Sequence, residues 1–336
     1  MRVLFILRKR SFSVGGLSRF SFELISRFPG VNYVLSPDSL SVLFKLPFLR
    51  FDLIHLSDAT LLPWGVLLKY LFRKPLTLTA HGLDLAFPNP FYQLMLKIFL
   101  PQTAAIVLDS EPAKKLLKRF SFAETKITVI PPGISLKHFK KEEPLSHPAT
   151  KGKIVLLTVG NLVTRKGQLW FIERVMSKLP DKFIYLIVGD GPKQREIKGM
   201  IKRLKLAGRV FMLGQVSNAH LSYLLRHIVH IYVCPNQRKK GDFEGFGIAV
   251  GEAAAFGLPV VASRVDGIPE VIKHGKNGWV VEPEPATFLT ALLRLKDSKL
   301  RKRLGDRAKK YTQQNFNWEK TIRQYLSLFQ EVTGKT

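Results

Sequence analysis

The chain has 336 residues, 46% hydrophobic and 23% charged, which suits a globular protein of about two domains at ~100–200 residues each. Lys and Arg total 53 against 25 Asp and Glu, a net charge of +28; this excludes a disordered acidic protein and points to anionic partners, whether nucleic acid, a phosphate-rich substrate or an anionic membrane. The single cysteine, Cys234, excludes a disulfide framework within one chain and fits a reducing, cytoplasmic compartment.

The first ten residues, MRVLFILRKR, place charges around an apolar run, but residues 3–7 are too few for a signal-peptide core and no small-residue cleavage site follows. The run reads as a first β-strand. Further strands are expected at 33–35, 53–56, 76–80, 105–108 and 127–130, with helices near 17–27, 61–72, 91–99 and 111–119. Such alternation argues for a parallel sheet covered by helices on both faces. The apolar stretches 61–72 and 91–108 are broken by Pro63 and Lys69 and by Lys97 and Pro101. Neither reaches the ~18 uninterrupted apolar residues of a spanning helix, so a soluble or peripheral protein is expected.

Residues 131–153, PPGISLKHFKKEEPLSHPATKGK, lack periodicity and read as a linker. A second series follows, with strands at 154–159, 183–188, 210–213, 228–234, 259–262 and 279–281 and a helix at 168–179. The expected organisation is two Rossmann-like, doubly wound α/β domains, 1–150 and 151–315, facing a central cleft. Residues 316–336 are expected as a helix packing back toward the first domain. Ligands of such sheets bind beyond the carboxyl ends of the strands, so the strand-to-helix loops are where chemistry is sought.

The loop Ser13-Val14-Gly15-Gly16-Leu17 precedes a helix, and its glycines would let backbone N–H groups approach an anion. A plain tight turn would look the same. In Gly160-Asn161-Leu162-Val163-Thr164-Arg165-Lys166-Gly167, two adjacent cations follow a strand and suit a diphosphate, though solvated surface cations are common in so basic a chain. The block Glu244-Gly245-Phe246-Gly247-Ile248-Ala249-Val250-Gly251-Glu252 carries two carboxylates with seven residues between them. Ionised carboxylates only accept hydrogen bonds, as sugar hydroxyls require; the alternative is one acid placed for a helix dipole and one solvated. Gly245, Gly247 and Gly251 do not directly follow a strand, which excludes a dinucleotide fingerprint. No Asp-x-Asp pair is present, which disfavours a metal-dependent sugar transferase. His81 ends a strand, where a lone histidine is often structural, and Gly189-Asp190-Gly191-Pro192 has the composition of a turn.

These residues carry a resemblance. The run from Glu244 through Gly257-Leu258-Pro259-Val260-Val261-Ala262-Ser263, Gly267-Ile268-Pro269-Glu270 and Gly275-x-x-Gly278 resembles the donor half of the family 4 retaining glycosyltransferases of GT-B fold. So do Gly160 with Arg165-Lys166-Gly167, the 189–192 turn, and Pro131-Pro132-Gly133-Ile134. The likeness runs from Gly15-Gly16 to Phe316-x-Trp318.

The resemblance implies transfer of a hexosyl group from a nucleoside-diphosphate sugar, UDP or GDP, with retention of configuration, no metal and no cofactor. It implies that Lys166 and Arg165 grip the diphosphate, Glu252 binds the ribose and Glu244 the transferred sugar. Backbone groups of Phe246, Gly247 and Ile248 would contact sugar and phosphate, Gly16 the distal phosphate, and His81 the sugar near the reacting centre. One departure is Asn161, where the family usually has Arg; it bears on affinity and donor choice more than on reaction class.

The stretches 44–50 and 114–122 interleave basic and apolar residues, which suits an anionic bilayer. The expected partners are therefore the nucleotide sugar, a lipid-linked or saccharide acceptor and the inner face of the cell membrane. A basic nucleic-acid-binding protein using 193–209 and 294–310, and an inactive GT-B scaffold, are the alternatives. The cationic clusters lack interleaved stacking aromatics, which argues against nucleic acid.

Overall fold

The computed structural model describes residues 1–8, 16–30, 32–35, 49–120, 126–145 and 150–335. The chain forms two compact α/β units. The first comprises 1–133, 241–246 and 316–336, and the second 134–240 and 247–315.

In the first unit the elements are β1 (Val3–Ile6), α1 (Gly16–Arg27), β2 (Asn32–Leu35), β3 (Leu53–Leu56), α2 (Leu62–Phe72), β4 (Leu76–Ala80), α3 (Gly82–Ala86), α4 (Pro90–Phe99), β5 (Ala105–Leu108), α5 (Lys114–Leu117) and β6 (Lys126–Val129). The strands are parallel in the order β2-β1-β3-β4-β5-β6. β1, β3, β4 and β5 are buried along their whole length, as expected of short apolar strands covered on both faces. Pro63 and Pro90 sit in the first turns of α2 and α4, where no N–H is needed, and the Asn89 side chain caps α4 by accepting from the Tyr92 N–H.

The second unit contains β7 (Ile154–Val159), α6 (Gln168–Arg174), β8 (Phe183–Val188), α7 (Gln194–Arg203), β9 (Val210–Gly214), α8 (Asn218–Tyr223), β10 (Ile231–Cys234), α9 (Ile248–Ala255), β11 (Val260–Ser263), α10 (Ile268–Val271), β12 (Trp279–Val281), α11 (Pro285–Arg294) and α12 (Ser298–Asn315). Its parallel order is β12-β11-β10-β7-β8-β9, the 3-2-1-4-5-6 arrangement of a dinucleotide-type sheet. Phe171, Tyr185 and Phe288 fill the core beneath it.

The last helix, α13 (Trp318–Thr333), belongs to the first unit. Its Phe329 ring lies 5.4 Å from Phe28 and 5.1 Å from His55, and Gly133 leaves room for Trp318. Beneath it runs a buried chain of hydrogen bonds. Thr77 Oγ1 donates to the Ile54 carbonyl, so it accepts from His55 Nδ1–H (2.9 Å). His55 Nε2 then accepts from Thr79 Oγ1 (3.0 Å), which accepts from the Tyr325 hydroxyl (2.8 Å). Every polar atom in this chain is satisfied with His55 neutral.

Several elements differ from the sequence expectation. The chain passes from the first unit to the second at Gly133, not at 150, and the part of the expected linker around Phe139 is packed into the second unit. Phe139 is fully buried, edge-on to Phe256 at 5.2 Å, and its carbonyl accepts from Ser222 Oγ. The helix expected at 111–119 shrinks to α5, that at 168–179 ends at Arg174, and the strand expected from 228 begins at Ile231.

Candidate functional site

In open parallel sheets, ligands sit beyond the carboxyl ends where strand order reverses: between β1 and β3 in the first unit, and between β7 and β10 in the second.

In the second unit the chain leaves β7 at Gly160 (φ +152°), and the Lys166 side chain lies across that bare backbone. Its Cε and Nζ stand 3.4 and 3.7 Å from where a Cβ would be. Gly167 is left-handed (φ +70°), and the carbonyl of Pro235, just beyond β10, fills the space of a Cβ there. The Gln237 N–H donates to the Arg165 carbonyl at 2.7 Å. The loop carrying Arg165 and Lys166 is thus tied to the far side of the switch point. The 189–192 turn seats it from below, since the Leu162 N–H donates to the Asp190 carbonyl at 2.8 Å, and Gly189 and Gly191 pack against the Gly160 and Leu162 backbones. Asn161 is exposed.

Gly247 (φ +82°) precedes α9, which begins at Ile248. The first N–H groups of a helix lack intrahelical partners and carry its positive end. Glu252, one turn into α9, is buried and not a solvated acid.

In the first unit His81 follows β4 and caps α3: its backbone N–H donates to Asp84 Oδ2 (3.0 Å). The ring is buried, and Nδ1 meets Asp109 Oδ2 at 3.3 Å. Burial alone would lower its pKa, but the Asp109 hydrogen bond and the charges of Asp84, Asp109 and Asp58 outweigh it and raise the value to about 8. The imidazolium is therefore the main form at neutral pH. Its Nε2 is buried and has no hydrogen-bond partner among the described residues, so the ring carries one further donor that a ligand hydroxyl could take. Burial, reinforced by Asp58, pushes the Asp84 carboxyl up in turn.

The loop 241–246 packs onto this edge. A Cβ on Gly82 would overlap the Phe243 ring, and one on Gly245 would overlap the Asp109 carboxylate. Glu244, buried, lies between these two contacts, and Phe246 anchors the loop with its ring edge-on to Phe316 at 5.1 Å.

The structure therefore brings Glu244 to the His81 edge, and Arg165 and Lys166 to the switch point of the second sheet. Glu244 and Glu252, expected as a pair, belong to different units, as do Phe246 and Gly247. Gly16 opens α1, while residues 13–15 lie outside the described residues. Sequence reasoning missed Asp58, Asp84 and Asp109, although Asp58 and Asp109 follow strands as His81 does. Two cavities of about 310 and 330 Å³ in the second unit share His274 and involve none of the expected site residues.

Residues 139–311 match a family model described as glycosyl transferases group 1, and residues 13–138 one described as glycosyltransferase family 4. N-acetyl-alpha-D-glucosaminyl L-malate synthase of Bacillus anthracis is 24% identical over 77% of this chain and 68% of its own length. The putative colanic acid biosynthesis glycosyltransferase WcaL of Salmonella typhimurium is 29% identical over 64% of this chain, which spans about half (54%) of it. Among solved structures, Anabaena HepE in complex with UDP superposes with a TM-score of 0.81 at 19% identity, covering 98% of this chain and 100% of that one. With one family description covering most of the second unit and the other most of the first, the chain belongs to the group 1, family 4 glycosyl transferases and has their GT-B fold.

Proposed function

We propose that this protein transfers a hexosyl group from a nucleoside-diphosphate sugar to a lipid-linked or saccharide acceptor, retaining the anomeric configuration and using no metal. The observation that carries the reading is Lys166 laid over the bare backbone of Gly160 at the switch point of the second sheet. A fixed ammonium there stabilises the charge that develops on a departing diphosphate. HepE, solved with UDP and with UDP-glucose, supports a uridine donor, and WcaL and the amylovoran glycosyltransferase AmsK of Erwinia amylovora support an envelope saccharide product.

In this reading Lys166 and Arg165 hold the diphosphate, assisted by the N–H groups of Gly247 and Ile248 at α9. Glu252 accepts from the ribose hydroxyls. Glu244 accepts from the hydroxyls of the transferred sugar, His81 donates Nε2–H to one of them, and the Phe246 backbone and the N–H of Gly16 complete the set. The acceptor oxygen bonds to the anomeric carbon on the face from which the phosphate oxygen leaves. The acceptor proton passes to that phosphate oxygen, and the nucleoside diphosphate departs.

Calorimetry with UDP-, GDP- and ADP-sugars tests the donor site. One nucleotide class is expected to bind, and Lys166→Ala to weaken it by about 10- to 100-fold, the worth of a charge-assisted hydrogen bond. Failure of every donor, or unchanged binding in Lys166→Ala, overturns the assignment.

A further inference from the structure

We propose that the outward face formed by α2 and α4 docks on an anionic lipid bilayer. Both helices bury one apolar stripe in the core of the first unit, through Leu62, Val66 and Leu68 on α2 and Leu96 on α4. Each carries a second apolar stripe that faces water. Trp64, Leu67 and Leu71 recur on α2 at helical spacing, and Phe91, Leu94 and Ile98 repeat that spacing on α4. The two helices pack side by side, so the stripes form one surface.

This surface is concentrated. Of the eleven large apolar side chains exposed among the described residues, nine fall between Trp64 and Ile98, and Phe91 is 84% exposed. A contiguous apolar face of this kind marks an interaction site. The short helix between them in the chain adds to this, since α3 exposes Leu83 and is followed by exposed Phe87.

Charge selects the occupant. From Thr60 to Leu108 the sequence carries Lys69, Arg73, Lys74 and Lys97, and its one acid is Asp84. That acid is half-buried with Oδ2 taken by the His81 backbone N–H. Arg73 and Lys97 are exposed beside the stripes. Lys118 and Arg119 follow α5, which packs on α3. Apolar side chains with a Trp and a Tyr, rimmed by cations and with no exposed acid between Thr60 and Leu108, complement acyl chains under an anionic headgroup layer. Tyr70, with its hydroxyl on Gln102 Oε1 at 2.7 Å, sits with its ring exposed at the same face.

The same residues explain why the segments singled out for a membrane in the sequence do not serve. Of 114–122, Leu117 and Phe120 point into the core, residues 121–122 lie outside the described residues, and so do 44–48 of the other stretch. Stretches 61–72 and 91–108 are too short to span, and among the described residues no helix is long and apolar enough to cross a membrane. Apolar on two faces, their helices suit the interface instead.

The inference rests on the proposed transfer only in giving the surface a purpose, access to a lipid-linked acceptor. The full chain is sedimented with vesicles of equal parts phosphatidylglycerol and phosphatidylcholine, and with phosphatidylcholine alone, at about 0.1 M salt. Binding to the anionic vesicles is expected, with a blue shift of the Trp64 emission that is absent from Trp64→Phe. Leu71→Ser with Phe91→Ser lowers partitioning by about tenfold or more, and Lys97→Glu by about fivefold, both with the wild-type melting temperature. Equal binding to neutral and anionic vesicles overturns the proposal. So does wild-type binding by the Leu71→Ser, Phe91→Ser protein, or a vesicle-free dimer that the same substitutions dissolve. Nucleotide-sugar binding is measured on the same samples: loss of docking with donor binding intact condemns this surface alone, and docking without any donor binding condemns the transfer reaction alone.

Discussion

His55 and His81, from neighbouring strands, are driven in opposite directions by their surroundings. His55 has no carboxylate among its hydrogen-bond partners; burial, and then the charge of His81, hold its pKa at about 3. His81 is equally enclosed but faces three carboxylates and is raised to about 8. The signs follow by linkage to an unfolded value near 6.5. The stability that His81 contributes is complete below pH 6.5 and is lost as pH rises through 8. His55 withholds a proton that the unfolded chain binds, so its contribution is complete above pH 6.5 and is eroded as pH falls toward 3. The difference in unfolding free energy between wild type and His81→Gln, measured by urea titration at several pH values, is therefore expected to shrink as pH rises from 6.5 to 8, and that between wild type and His55→Asn to shrink as pH falls from 6.5 toward 3. The transfer rate is expected to fall above pH 8 as His81 loses its Nε2 proton, and Asp109→Asn to move that inflection to lower pH, since it removes the hydrogen bond that raises the value. His81 was legible in the sequence as a polar residue ending a strand. Asp109 satisfies the same rule, but its use appears only when β4 and β5 stand side by side and their ends meet.

The segment 241–246 shows how close packing positions a side chain that has no element of its own. Gly82 against Phe243 and Gly245 against Asp109 are close contacts between it and the first sheet's edge, and neither glycine has room for a Cβ. Gly245→Ala is expected to push the loop off Asp109, displace Glu244, and reduce kcat/KM by tenfold or more, while costing about 1–3 kcal/mol of stability from overpacking. Steady-state kinetics beside thermal unfolding separates the two effects. On α13, Tyr325→Phe keeps the ring and removes the donor to Thr79, so about 1 kcal/mol of stability is expected to go, read as a shift of the urea midpoint at constant slope. The central strands were readable because they are short apolar runs buried along their whole length, as β1, β3, β4, β5, β8, β10 and β11 are, and the extended helices because they carry a helical period. The short helical segments were not. α5 has four residues and no room for a period, while Arg174 ends α6 before a 3₁₀ turn that continues its apolar pattern. The packing of 134–145 was hidden because its apolar anchors, Ile134 against Gly251 and the buried Phe139, are scattered through a mostly polar stretch without a period.

The net charge of +28 has few specific tasks. Many surface cations pair with nearby acids, as Lys193 does with Glu196 and Lys302 with Asp306, and such exposed pairs add little stability. Their sum acts at a distance instead, so the rate of association with anionic vesicles is expected to fall steeply between about 0.05 and 0.5 M salt, while donor affinity, set by local contacts, changes far less; stopped-flow light scattering and calorimetry over that range check the contrast. The two-part architecture was legible in the sequence, but the weaving of the chain was not: 241–246 and 316–336 return to the first unit after most of the second has been made. This weaving sets a schedule for synthesis. Phe5, Phe28 and His55 exist early, yet Phe329, which covers them, leaves the ribosome roughly 200 residues after Gly133, about 10–40 s later at ~5–20 residues per second. Throughout that interval Phe5, Phe28 and His55 lack the cover of Phe329, so the nascent first unit is expected to expose these rings to chaperones during translation, and a gene cut at residue 133 is expected to encode a unit that leaves them uncovered.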